Sequence, residues 1–221
     1  MKKNIFLLLF LSFFWSLSRA QADDPGLTLP AHSGAERSFD SVSRSSVIVV
    51  TQFGYGTGTV VKYKKKVYVL TASHVVSPMF GENVEPTIIK EGKTATANVI
   101  YRDPNSDVAV LSITSDIDLD AYKISFPRRS VSMGDSVGYC GYPNRRDLSC
   151  FTGRVSGFPG EYINIHSFAF SGASGSLVVD SSGHAVGILS AVEVGQFLGI
   201  PQALESVVWV VPISKDILED L

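Results

Sequence analysis

The sequence predicts an all-β fold: two packed barrels of about six short strands each, followed by a short C-terminal helix. Three observations carry this. Short runs rich in Val, Ile, Tyr and Thr recur at close spacing, clusters of Gly, Pro, Asn, Ser or Lys punctuate them, and an acid–aliphatic stretch at 116–120 divides them into two sets. β-Branched and aromatic residues suit a pleated, half-buried surface. Strands this short and evenly punctuated read as a sandwich or barrel.

The first set of strands is expected at 47–52, 58–63, 67–71, 87–90, 96–102 and 108–113. The second is expected at 137–140, 150–155, 162–165, 175–179, 185–192 and 207–211. Only two places read as helical. One is a single turn at 72–76. The other is 214–221, where Ser214 caps and Ile217 and Leu218 face inward. The first barrel then spans about 46–115 and the second about 122–212, within one domain of 46–221. Residues 23–45 are polar and carry Pro25, Pro30 and Gly34, so they read as a flexible lead-in. No further module is expected after the last helix.

Residues 1–22 differ in kind. Lys2 and Lys3 precede an apolar run at 5–15, and small residues stand at Ser18, Ala20 and Ala22. This is the layout of a secretory signal peptide cleaved near Ala20 or Ala22. The apolar run falls short of the ~20 residues of a spanning helix, so no stable membrane anchor is expected; the alternative is an uncleaved anchor. Cleavage removes three basic residues (Lys2, Lys3, Arg19) and no acid, taking the net charge from −2 to −5. Neither value suits a nucleic-acid partner. Localisation is therefore expected to be secreted or periplasmic.

The two cysteines, Cys140 and Cys150, lie ten positions apart with strand-like flanks. In an exported chain an even count reads as a disulfide. Two buried free thiols are the alternative. No histidine stands near the pair in sequence, so metal binding there is not expected; no metal or organic cofactor is expected for the chain.

The segment Ser171-Gly172-Ala173-Ser174-Gly175-Ser176 lies between two strand-like runs. Glycines flanking a serine allow a sharp turn that lifts one hydroxyl out and converges backbone N–H groups on it. That combination serves acyl transfer, although small polar turns are also common without function. A serine nucleophile needs a base, and the base needs an orienting partner. The chain has four histidines, of which His32 lies in the lead-in, His184 in a turn and His166 at a strand end. His74 follows the apolar strand Tyr68-Val69-Leu70-Thr71 and opens a helical turn, a place where a side chain is held yet faces a cleft. Asp107 enters the apolar strand Val108-Ala109-Val110-Leu111 and should be partly buried, with a partner. Its alternative role is to cap its own loop, Asp103-Pro104-Asn105-Ser106.

Together, Thr71-Ala72-Ser73-His74, Asp107-Val108-Ala109-Val110-Leu111 and Gly172-Ala173-Ser174-Gly175-Ser176 come in the order His, Asp, Ser. This resembles the trypsin/chymotrypsin-like serine peptidases, and most nearly the compact bacterial Deg/HtrA-type peptidase domain without a PDZ module. Gly56-Thr57-Gly58, Gly134-Asp135-Ser136-Val137 with Gly141-Tyr142-Pro143, and Val210-Val211-Pro212 match further pieces of that branch. The resemblance covers 46 to the C-terminus. It implies two six-stranded antiparallel barrels of the chymotrypsin-like kind and serine endopeptidase activity on protein or peptide substrates. By the same resemblance Ser174 is the nucleophile, His74 the base and Asp107 its orienting acid. The N–H groups of Gly172 and Ser174 form the oxyanion hole, and Ser190 supports the acid. Phe168, Ala169 and Phe170 border the primary pocket, and the backbone of Ser190, Ala191 and Val192 pairs with substrate. No acid stands in that pocket, so cleavage after Lys or Arg is disfavoured and small or medium apolar side chains are expected. His166 offers an alternative, glutamate-directed pocket. Ala173 replaces an aspartate that pairs with a freed N-terminus in digestive members, so no such activation is expected. Residues 194–205 read as a loop exposing Phe197, Leu198 and Ile200, or folding them back. An inactive peptidase fold that binds a partner through the same cleft is the alternative function.

Overall fold

A computed structural model describes residues 34–78, 84–115, 117–197 and 200–221. The expected signal peptide, at 1–22, lies outside the described residues. Among the described residues, thirteen strands carry the fold. The first barrel comprises β1 (Ser46–Thr51), β2 (Gly54–Tyr63), β3 (Lys66–Ala72), β4 (Thr87–Lys90), β5 (Lys93–Asp103) and β6 (Val108–Ile113). They pair antiparallel in the order β1-β4-β5-β6-β3-β2, and β2 returns to β1 to close the ring. A two-residue strand, β7 (Tyr122–Lys123), adds to β2 in parallel. The second barrel comprises β8 (Ser136–Gly141), β9 (Ser149–Gly157), β10 (Ile163–His166), β11 (Leu177–Asp180), β12 (Ala185–Phe197) and β13 (Ile200–Pro212). It closes in the order β10-β13-β12-β11-β8-β9. The expected pair of six-stranded antiparallel barrels is therefore what the chain forms.

The barrels close because their strands are apolar on the inward face and tolerate burial on both. β6 reads Val108-Ala109-Val110-Leu111 and is fully buried over those four residues. One apolar core fills the first barrel and continues into Leu177, Val179, Ile188 and Val211 of the second. A second core, with Tyr139, Ile165, Val178 and Val208, fills the rest of the second barrel. The seam between barrels is thus apolar, and the polar groups that reach it must be paired.

Three expectations need correction. The lead-in at 23–45 is not flexible throughout, because α1 (Gly34–Ser45) is a three-turn helix. Val42 is fully buried, and the Phe39 ring lies where a side chain on Gly138 would stand, 2.2 Å from the ideal Cβ position. Ala35, Phe39 and Val42 keep helical spacing in an otherwise polar stretch. So narrow a stripe is easily missed by composition. Residues 194–205 are not a loop. β12 and β13 run on past the barrel as a two-stranded ribbon, paired from Glu193↔Leu204 to Phe197↔Ile200. Val194 and Ile200 are 60% and 68% exposed, and the side chains of Phe197 and Leu198 lie outside the described residues. Finally, 175–176 belongs to the turn, and β11 starts at Leu177. The expected helical turn after β3 is a 3-10 turn, Ser73–Val76, and the C-terminal helix is the short α2 (Asp216–Glu219).

The cysteines form the expected disulfide. Cys140 and Cys150 stand directly opposite on β8 and β9, with Cα atoms 4.1 Å apart. The bridge closes the loop that begins at Gly141 and ends at Ser149.

Candidate active site

His74 and Asp107 are brought together by the β3–β6 pairing. Ala72 faces Val108, so the residue just after β3 lies beside the residue just before β6. The Ser73 N–H donates to the Asp107 carbonyl (3.1 Å), and the His74 N–H donates to Asp107 Oδ1 (2.9 Å). The His74 ring Nδ1 then stands 2.9 Å from Oδ2 and 3.1 Å from Oδ1. Asp107 has φ +50°, a left-handed conformation that Asp adopts more readily than most residues. The loop-capping role goes to Asp103 instead. Its Oδ1 accepts the Asn105 N–H (2.9 Å) and its Oδ2 accepts the Ser106 hydroxyl (2.6 Å), leaving Asp107 for the histidine.

The Ser190 hydroxyl completes the carboxylate's shell, donating to Asp107 Oδ2 at 2.5 Å. Burial alone would raise the Asp107 pKa. Hydrogen bonds from His74 and Ser190, and the attraction of a charged imidazole, outweigh it and hold the carboxyl below its ordinary value. An ionised carboxylate only accepts, so Nδ1 carries the ring proton and Nε2 is left as the acceptor.

Ser174 sits on a turn whose shape is set by glycine. Gly175 has φ +91°, and a Cβ there would fall 2.0 Å from the Thr57 carbonyl oxygen. Thr57, fully buried, anchors this turn from the first barrel. Its N–H donates to the Ser174 carbonyl (2.8 Å) and its hydroxyl donates to the Gly172 carbonyl (2.8 Å). Two peptide planes are fixed through their other carbonyls. The Ser171 carbonyl accepts the Asn144 N–H (2.6 Å), and the Ala173 carbonyl accepts the N–H (3.1 Å) and hydroxyl (2.7 Å) of Ser176. In a trans peptide the N–H points opposite its carbonyl. The N–H groups of Gly172 and Ser174 are therefore turned away from these anchors, and among the described residues neither has an acceptor. The Ser176 hydroxyl thus helps to hold the turn.

His74, Ser174 and Ser190 line one cavity of about 440 Å³, with Ala169, Phe170, Ser171, Leu189, Ala191 and Val192. The Ser174 hydroxyl here donates to the Ser190 carbonyl at 2.9 Å rather than to His74. Of the residues expected to border the pocket, Phe168 is absent from the lining: its side chain is 59% exposed, and its carbonyl accepts the Tyr139 hydroxyl. His166 is exposed on β10 and is not in the lining. Ser171, one of the six positions before Ser174, does line the cavity, whereas Leu189 and the anchors Thr57 and Asn144 were given no site role from the sequence. Only Thr57, between two glycines, carried a local signal. A larger cleft of about 510 Å³, bounded by Phe126, Phe158 and Pro212, contains no histidine. Among the described residues no cluster of His, Cys, Asp and Glu could hold a metal ion.

The trypsin-like peptidase domain matches residues 56–188, more than half of the chain. The chain belongs to the trypsin-like peptidase family. This trypsin-like chain is 26% identical over 146 residues to the periplasmic serine endoprotease DegP of Salmonella typhimurium, covering 62% of the chain. The match spans 30% of that relative's length. Among solved structures, the trypsin-like barrels superpose on the serine endoprotease from Yersinia pestis with a TM-score of 0.64 at 20% identity, covering 86% of this chain and 68% of that one. They superpose on the active form of the Rv3671c protease from M. tuberculosis with a TM-score of 0.62 at 21% identity, covering 78% of each. At such identities the structures speak for the fold.

Proposed function

We propose that this protein is an exported serine endopeptidase that works through Ser174, His74 and Asp107 and an acyl-enzyme. The observation that carries the reading is the placement of one imidazole, its Nδ1 held by a half-buried carboxylate, in the same cavity as a serine on a glycine-shaped turn. Rotation about one side-chain bond moves the Ser174 hydroxyl between staggered positions, and catalytic hydrogen bonds often tighten only when substrate is bound. Ser174 Oγ attacks the scissile carbonyl while His74 Nε2 takes its proton. The carbonyl oxygen, now negative, is received by the N–H groups of Gly172 and Ser174. His74 then protonates the leaving amine, and water, deprotonated by the same nitrogen, releases the acyl group. Asp107 orients the imidazole and stabilises its cation, and Ser190 holds Asp107.

The cavity lining carries no acid, and its walls are Ala169, Phe170, Leu189, Ala191 and Val192. Small or medium apolar side chains before the cut fit it, and Lys or Arg do not. The signal-peptide layout at 1–22, the disulfide and the periplasmic relative support export. No helix among the described residues is long and apolar enough to cross a membrane. Cleavage of an unstructured protein such as casein tests the reading. Ser174→Ala or His74→Ala is expected to lower kcat by ~10⁶. Unchanged cleavage by either variant would show that the activity lies elsewhere.

A further inference from the structure

The β12–β13 ribbon extends the edge on which the candidate cleft is built. β13 pairs with β12 from Gly187↔Pro212 to Phe197↔Ile200, with register shifts between Leu189 and Ala191 and between Val192 and Glu193. On its other side β12 meets β11 only as far as Ile188, opposite Leu177. Beyond that point this edge passes Ser190, Ala191 and Val192 in the cavity wall and continues through Glu193 to Phe197. Among the described residues no strand covers it. The outer edge of β13 is different at the ribbon's root: the carbonyls of Glu205 and Ser206 already accept the N–H groups of Ala169 and Ser167. Of the ribbon's two edges, the one on β12 is continuous with the cleft, while that on β13 is separated from it by the contacts at the root.

Polarity decides what can lie there. β12 runs from Ser190, whose carbonyl touches the Ser174 hydroxyl, outward to Phe197. A chain pairing antiparallel to it arrives from the ribbon tip and reaches Ser174 last. The residues over the ribbon are then those N-terminal to the scissile bond. With the attacked residue beside Ser190, residue-for-residue pairing puts the fifth residue before the cut opposite Val194. Side chains directly opposite in a sheet pair with one another. Val194 is 60% exposed, and it faces Ala203 rather than a charge on the other strand. An aliphatic or β-branched residue complements it.

Resting on the peptidase reading above, we propose that the ribbon is an extended subsite. It captures about four further substrate residues N-terminal to the cleavage site as an added antiparallel strand, with an aliphatic preference opposite Val194. The occupant is an extended, locally unfolded stretch of a protein substrate, since a folded one has no free strand to offer.

The test uses the full-length protein and peptides with three or seven residues before one cleavage site, plus a peptide extended on the C-terminal side only. The N-terminal extension is expected to raise kcat/KM by roughly 10-fold or more, as two further main-chain hydrogen-bonded positions would. The C-terminal extension is expected not to. Replacing 195–202 by Asn-Gly removes the gain while three-residue substrates and fluorophosphonate labelling are unchanged. Val194→Lys, which leaves the ribbon intact, is expected to shift the preference opposite it from aliphatic to acidic. The same peptides binding to Ser174→Ala report on capture without turnover. Equal turnover or equal binding of short and N-extended peptides overturns the subsite, and it does so even where fluorophosphonate labelling upholds the peptidase. A ribbon that instead pairs two copies of this chain, seen as a dimer lost in the shortened variant, also overturns it.

Discussion

Asp107 is where local rules and tertiary demand meet. Alone, an aspartate at the end of a Pro-Asn-Ser loop reads as a turn residue, and its left-handed backbone fits that reading. The fold gives the turn to Asp103 and spends Asp107 on His74, Ser190 and the His74 backbone. Its folded pKa lies below the ordinary value, so it contributes stability above the ordinary carboxylate pKa of about 3.9 that is lost as pH falls through the lower folded value. Asp107→Asn cannot titrate. Urea midpoints of the two proteins are therefore expected to differ by a constant amount above about pH 5 and to converge in more acidic solution. A difference that stays constant to pH 2 contradicts the pairing. The same variant is expected to lose about 10⁴ in kcat, because the amide favours the wrong imidazole tautomer. His74 and Asp107 stood out in the sequence because each lies next to an apolar strand, and Ser174 because glycines stand close to it on both sides. The supports were not legible. Asn144 acts through its backbone N–H, a group every residue but proline has, so residue type carried no signal. Phe168 was misplaced because adjacency in sequence to Ala169 and Phe170 was taken for adjacency in the pocket.

Among the elements, the twelve longer strands were legible because alternation and punctuation agree along them. The ribbon was missed because Gly195 and Pro201 look like loop residues. In a two-stranded edge ribbon both are tolerated. α1 was missed because two or three apolar residues sufficed to dock it beside β8, with Phe39 against Gly138. The disulfide belongs to this scale. It closes the loop that holds Asn144, whose N–H fixes the Ser171 carbonyl. Arg145, the next residue, lies over the Tyr55 ring at 4.2 Å, and Tyr55 in turn crowds Gly172. Cys140→Ser with Cys150→Ser is expected to lower unfolding stability by about 2–4 kcal/mol, measured by urea titration. A variant pair as stable as the parent would show that the β8–β9 ladder alone fixes the loop.

For the whole molecule, the barrels form one site because the first reaches across the seam to shape a turn of the second. Thr57 is the crossing point. It holds two carbonyls of the Ser174 turn, and its hydroxyl oxygen also accepts the Tyr142 N–H at 3.0 Å. Thr57→Val keeps the shape and removes the hydroxyl, leaving buried groups unpaired. It is expected to cost about 1–3 kcal/mol in stability and to reduce kcat more than it raises KM, while Thr57→Ser restores both. Equal kinetics in Thr57→Val would mean that the turn holds itself. Labelling the full-length protein with a fluorophosphonate, read by peptide mass spectrometry, tests the central claim most directly. One adduct is expected, on Ser174, absent from Ser174→Ala and greatly slowed in His74→Ala. A folded protein that takes no label, or takes it on another residue, contradicts the account.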